Sequence, residues 1–150
     1  MKTIFKILSF VMILSLSFSC DRPLEDEDYL DNRAPLVGFQ GTPSVVFMNE
    51  GTDVDFEVIV AISAPIEESV GYLVTRDADS TIEEGVGYDL VTDYTIDAGD
   101  LGDALVVHLN YDALPLGPSN LLLNLEGDGD VQIGLIDQYD LTIVKLPPPN

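Results

Sequence analysis

Between Val54 and Ile62 every even-numbered residue is apolar (Val54, Phe56, Val58, Val60, Ile62), with Asp55 and Glu57 set between the first three. A period of two lines these side chains along one face of an extended strand, which a helix would scatter around its circumference. Ile59 and Ala61 make the odd positions apolar as well, so the second half of this strand is expected to be covered on both faces. Alternation returns at Val70, Tyr72 and Val74, and again at Leu105, Val107 and Leu109. Further short candidates are Leu36–Gln40, Ser44–Met48, Tyr88–Val91, Asp93–Ile96, Asn120–Glu126, Val131–Ile136 and Asp140–Leu146, separated by Gly, Pro, Asn and Asp. Gly127-Asp128-Gly129-Asp130 is a hairpin signal between two of them. Strands at this spacing, with no helical periodicity sustained beyond the first 18 residues, predict an all-β chain forming a single antiparallel β-sandwich of about 7–8 strands.

The start of the chain has a different logic. Lys2 and Lys6 precede an uncharged apolar run from Ile7 to Phe18, which ends at Ser19 and the chain's one cysteine, Cys20. The run fits the roughly 7–15 residues of a secretory signal core and falls short of the roughly 20 that span a bilayer. Leu16-Ser17-Phe18-Ser19-Cys20 resembles the looser form of the lipobox of bacterial lipoproteins, with Leu16 one place early and Phe18 larger than usual. That resemblance implies a signal peptide over residues 1–19 and a lipidated Cys20 that tethers the mature chain to a bilayer. Asp21–Asp28 is strongly acidic, as in the surface-export signals of some lipoproteins, so an outer-membrane, cell-surface location is expected. Residues 20–35 then form an acidic linker, 36–146 the sandwich, and 147–150 a proline-rich tail.

Residues 1–19 carry Lys2 and Lys6 and no acid, so the mature chain keeps four basic and 27 acidic side chains, a formal charge of −23. Binding to nucleic-acid phosphate needs Lys and Arg, so a nucleic-acid partner is excluded. With one cysteine no disulfide closes within the chain, and the core must hold by burial.

With the strands placed, residues from about Val37 to Val144 resemble a Calx-beta domain, an immunoglobulin-like sandwich. The resemblance rests on Val37-Gly38-Phe39, Asn49-Glu50-Gly51 before the long strand, Ser63-Ala64-Pro65, Glu84-Gly85-Val86-Gly87-Tyr88, Thr95-Ile96-Asp97-Ala98-Gly99-Asp100 and Leu141-Thr142-Ile143-Val144. In calcium-binding members, acids from several loops meet at one end of the sandwich. Glu50 matches one such position and Asp112 could match another, which makes them the weak metal candidates of this chain. Gly87, Ala113 and Lys145-Leu146-Pro147 stand where further acids are expected, and calcium takes about 6–8 oxygen ligands. The expectation is therefore no cofactor, with calcium the one alternative.

Other polar features point to no reaction. Asp97, Asp100 and Asp103, or Glu126 with Asp128 and Asp130, are spaced so that some could share a cation, but acid-rich turns are commonly solvated. His108 falls between inward-facing Val107 and Leu109, so it should point outward, and no nucleophile is nominated beside it. The adjacent pairs Glu67-Glu68 and Glu83-Glu84 do not suggest the separated carboxylates of a glycosidase. The chain has no Trp for stacking sugars, and Tyr72, Tyr88 and Tyr94 are read as core or rim. The expectation is a non-catalytic binding or structural module, with an unidentified protein or glycan of the cell envelope as partner. The alternative is an accessory glycan-binding lipoprotein of a polysaccharide-capture system.

Overall fold

The computed structural model describes residues 34–49, 51–91, 94–127 and 131–147. Cys20, the signal and most of the linker lie outside the described residues, as do Glu50, Asp128 and Asp130. The described residues hold ten strands: β1 (Leu36–Phe39), β2 (Ser44–Met48), β3 (Val54–Ile62), β4 (Val70–Arg76), β5 (Tyr88–Val91), β6 (Thr95–Ile96), β7 (Gly102–Leu109), β8 (Gly117–Gly127), β9 (Gln132–Ile133) and β10 (Gln138–Lys145). They form two five-stranded sheets, β5-β7-β3-β1-β9 and β2-β10-β8-β4-β6. An all-β sandwich is what the alternating pattern requires, because each sheet buries one greasy face against the other.

The inner faces read directly from the sequence. Val58, Val60 and Ile62 on β3 and Leu105, Val107 and Leu109 on β7 line the inner face, with Val58 opposite Leu105, and all six are buried. Across the interior lie Leu121, Leu123 and Leu125 of β8 with Tyr139, Leu141 and Ile143 of β10. Burying one such aliphatic side chain contributes roughly 1.5–3 kcal/mol, so these two central ladders carry much of the fold. β3 and β7 pair antiparallel from Val54↔Leu109 to Ala61↔Gly102. At the end of that ladder a Cβ on Gly102 would lie 2.6 Å from the Val60 carbonyl oxygen, so only glycine lets the strands approach there. β8 and β10 pair from Gly117↔Lys145 to Asn124↔Gln138.

Three expectations need correction in detail. The Gly127–Asp130 turn does not close a ladder onto Val131–Ile136. β8 has β10 and β4 as partners, whereas β9 lies in the other sheet and pairs with β1. The sandwich is also not antiparallel throughout, since β1 with β9 and β2 with β10 run parallel. Finally, the second half of β3 is not covered on both faces by the described residues. Ile59 is 38% exposed, and Ala61 is half-buried.

Candidate functional site

The loop that follows β7 begins with an acid-anchored turn. The Tyr111 backbone N–H donates to Asp53 Oδ1 at 2.8 Å, and the Asp112 N–H donates to Asn110 Oδ1 at 3.2 Å. Tyr111 itself is buried, while Asp112 is exposed. Lys145, the last residue of β10, reaches into this loop. Its Nζ donates to the Tyr111 carbonyl at 2.7 Å and the Leu114 carbonyl at 2.9 Å, and lies 4.2 Å from the centre of the Tyr111 ring. Two carbonyl oxygens and an aromatic face therefore surround one ammonium.

This is the end of the sandwich where the calcium candidates were sought. Gly87 and Ala113 line a cleft of about 200 Å³ together with Ile82 and Glu83. A side chain added at Gly87 would place its Cβ 3.2 Å from Ile82 Cβ and 3.4 Å from Leu114 Cδ2, against two buried apolar residues. No group of three or more His, Cys, Asp or Glu gathers among the described residues, Asp112 included; Glu50, the other candidate, lies outside them. The Lys145 ammonium holds the Tyr111 and Leu114 carbonyls of this loop, whereas a calcium ion takes about 6–8 oxygen ligands. The other acids do not converge either. Asp97 Oδ1 accepts from Ser69 Oγ at 3.3 Å, Asp103 Oδ2 from Tyr72 Oη at 2.6 Å, and Glu126 Oε1 from Thr75 Oγ1 at 3.1 Å.

Arg76 uses its guanidinium in the same way as Lys145. Nε donates to the Ile82 carbonyl at 2.7 Å and Nη2 to the Ser80 carbonyl at 2.6 Å. These are the only Lys or Arg among the described residues, and both hold loop backbone. The last basic residue of the chain thus has a structural role that sequence reading saw only as a replaced aspartate.

The outer face of the first sheet divides in two. At one end Asp55 on β3, His108 on β7 and Asp89 on β5 share a row of the ladder, with Glu57 one outward position further along β3. His108 points outward as expected, but it is not simply solvated: Nδ1 lies 2.6 Å from Asp55 Oδ1. The hydrogen bond to Asp55 raises its pKa above the usual histidine value; desolvation opposes this, and the charges of Asp55, Asp53 and Asp89 add to it. At the other end the face turns apolar. One trough of about 470 Å³ is lined by Ile59, Ala61, Leu101, Gly102 and Ala104 with Gln40 and Asp103. A second, of about 410 Å³, shares Gln40 and Ala61 with it and runs on past Leu36, Gly38, Leu135 and Ile136. Leu101 is 60% exposed and Leu135 fully exposed on its margins.

The outer face of the second sheet is a field of amides. Gln138 Nε2 donates to Asn124 Oδ1 at 3.0 Å, and Asn124 Nδ2 to Asp77 Oδ2 at 2.9 Å. That bond, then the Asp79 backbone N–H, lowers the Asp77 pKa. Asn120 orients its amide nitrogen toward Asp140 Oδ1 at 2.9 Å. Phe47 on the edge strand β2 is 62% exposed, an aromatic surface that the sequence did not single out. Tyr72 and Tyr88 are buried, Tyr94 is half-buried against Tyr72 at 5.9 Å between rings, and none offers an open stacking platform.

Against solved structures, the fold is shared with the apo form of the Calx CBD1 domain over 75% of this chain and 98% of that domain (TM-score 0.54, 16% identity). The chain has a Calx-beta-like fold. The Calx-beta-like sandwich also matches one candidate carbohydrate-binding protein from Bacteroides ovatus (TM-score 0.57, 14% identity, 75% of this chain). A two-domain protein of unknown function from Bacteroides fragilis matches as well (TM-score 0.58, 12% identity, 83% of this chain). The chain spans 37% and 50% of the lengths of those two proteins, respectively. No family model matches the chain, and no curated protein does.

Proposed function

We propose that this protein is a non-catalytic binding module, tethered to the outer face of a bacterial envelope through an acyl-modified Cys20 and spaced from the bilayer by its acidic residues 20–35. One observation carries the binding reading: an uncovered apolar trough on a chain whose formal charge is −21. Monomeric soluble proteins rarely leave contiguous apolar surface open without a partner for it. The absence of catalysis is part of the proposal. It is supported by the setting of His108, which is bonded to Asp55 on an outward strand face with Asp53 and Asp89 as further charges around it. The proposal also holds that the sandwich needs no metal, since Lys145 occupies the loop carbonyls.

The tether is tested by fractionating cells that express the full chain or its Cys20→Ala variant. The native chain should sediment with membranes, and its N-terminal peptide should carry the acyl mass; the variant should be soluble. An unmodified N-terminus with unchanged membrane retention would refute the anchor.

A second reading, glycan capture, is favoured by the amide field of the second sheet, by Phe47 exposed on the same sheet toward the other end of β10, and by the carbohydrate-binding name of one structural neighbour. Amides and carboxylates hydrogen-bond sugar hydroxyls, and an aromatic supplies the stacking face. Affinity electrophoresis through neutral polysaccharides should retard the chain and lose the retardation with Asn124→Ala. Migration unchanged by every polysaccharide would remove this reading.

A further inference from the structure

We infer that the outer face of the first sheet docks an extended protein segment that is apolar at one end and basic at the other. This rests on the binding-module reading and names the partner's chemistry. The second half of β3 carries the composition of a strand buried on both sides, yet the described residues leave Ile59 and Ala61 open. Around them the trough has a floor of small residues, Gly38, Ala61, Gly102 and Ala104, and walls made by larger exposed ones, including Leu101 and Leu135. A floor without bulky side chains admits another chain's side chains close to the sheet.

The same face specifies charge. Outward positions along β3 run Asp55, Glu57, Ile59, Ala61, so the acid row begins where the apolar half stops. At about 3.4 Å per residue, Glu57 lies roughly 7 Å from Ile59 and Asp55 roughly 14 Å. Asp89, in register with His108 and Asp55, widens the acid row across three strands. An extended ligand has the same rise, so Lys or Arg two and four residues beyond its last apolar anchor would reach these carboxylates. Lys and Arg within the described residues are committed to loop carbonyls, and His108 is already bonded to Asp55, so Glu57 and Asp89 are the carboxylates left for a ligand's cations. A second copy, equally acidic, would place like charge against like.

A sugar is a poorer match for this face. The trough has Gln40, Ser63 and Asp103 as its polar lining and no aromatic ring exposed along it, whereas the amide field lies on the opposite sheet.

The test is nuclear magnetic resonance on the isotopically labelled full chain with three probes. The first is a synthetic ten-residue peptide with alternating Leu and Ser in its first half and alternating Lys and Ser in its second. The second is the same peptide with Glu for Lys, and the third a panel of neutral oligosaccharides. The Lys peptide should shift the amides of Ile59, Ala61, Leu101, Ala104 and Leu135 at one end and Asp55 and Asp89 at the other. Its affinity should fall at least tenfold with Leu101→Ser plus Leu135→Ser, two exposed positions whose loss leaves the core intact, and again in high salt. Equal binding of the Glu peptide, or Lys-peptide shifts confined to the second sheet, would overturn the inference. If only oligosaccharides produce shifts, the binding module stands and this partner class falls. If none of the three perturbs either face, both readings fall.

Discussion

Replacing Lys145 with methionine removes a charge while keeping the apolar stem. The lost contacts are two charge-assisted hydrogen bonds, at 2.7 and 2.9 Å, and a ring contact at 4.2 Å. A hydrogen bond to a charged group is worth about 1.5–3 kcal/mol, and a partly exposed cation–ring contact about 0.5–1 kcal/mol. Freezing a lysine side chain costs about 1.5–2 kcal/mol, and partial desolvation of the ammonium takes a further share. The net loss for Lys145→Met is therefore about 2–3 kcal/mol. For a domain of this size, each kcal/mol moves the melting midpoint by roughly 3–5 °C. The variant should melt about 6–15 °C lower by circular dichroism, with Lys145→Arg recovering part of the difference. The melts are run in chelator and again in millimolar calcium. Wild type should melt at the same temperature in both. A variant midpoint within 1 °C of wild type would show that the ammonium holds nothing together. A calcium-dependent rise in wild type would refute the view that this loop needs no metal.

Two other outcomes follow from single side chains. Tyr88 is fully buried and its hydroxyl finds no hydrogen-bond partner among the described residues, while burial first, and then the Glu84 charge, pushes its pKa up to about 12. Tyr88→Phe removes an unsatisfied polar atom and should raise stability by about 1 kcal/mol, measured by denaturant midpoint; a loss of similar size would mean the hydroxyl is bonded. His108 has a folded pKa raised above its unfolded value, so its contribution is fully present below about pH 6.5 and is lost as pH rises through the higher folded value. Subtracting a His108→Gln melting profile from wild type at low salt should give a positive difference at pH 6 that shrinks toward pH 9. A difference that grows with pH would contradict the Asp55 pairing.

The parts of the fold legible in the sequence are those where one strand states its own burial. The alternation of β3 and β7 placed their inner faces without any knowledge of neighbours, and His108 faced outward for the same reason. Partnership between strands was not legible in that way. The Gly-Asp turn after β8 signals a local reversal of the chain, but nothing local says that the next residues will join the other sheet beside β1. The parallel placement of β2 against β10 is likewise a contact across about a hundred residues. At the loop end, the replaced acids at Gly87 and Ala113 were visible as absences. The structure adds what fills their place, Ile82 and Leu114 packed against Gly87 and an ammonium reaching from β10. The apolar outer half of β3 was read as covered because a composition cannot show which covering element is missing. Glu50 lies outside the described residues.

Among the described residues no strand pairs with the strand that follows it in the chain. β10, the last of the ten in chain order, lies between β2 and β8 as one of three inner strands of its sheet. A polypeptide emerging amino end first has no hairpin between successive strands to close, and the pairings of β2 and β8 with β10 must wait for that strand. Such long-range closure is slow. β2 has β10 as its sheet partner, so that edge of the sandwich cannot form ahead of the strand that comes last among the ten.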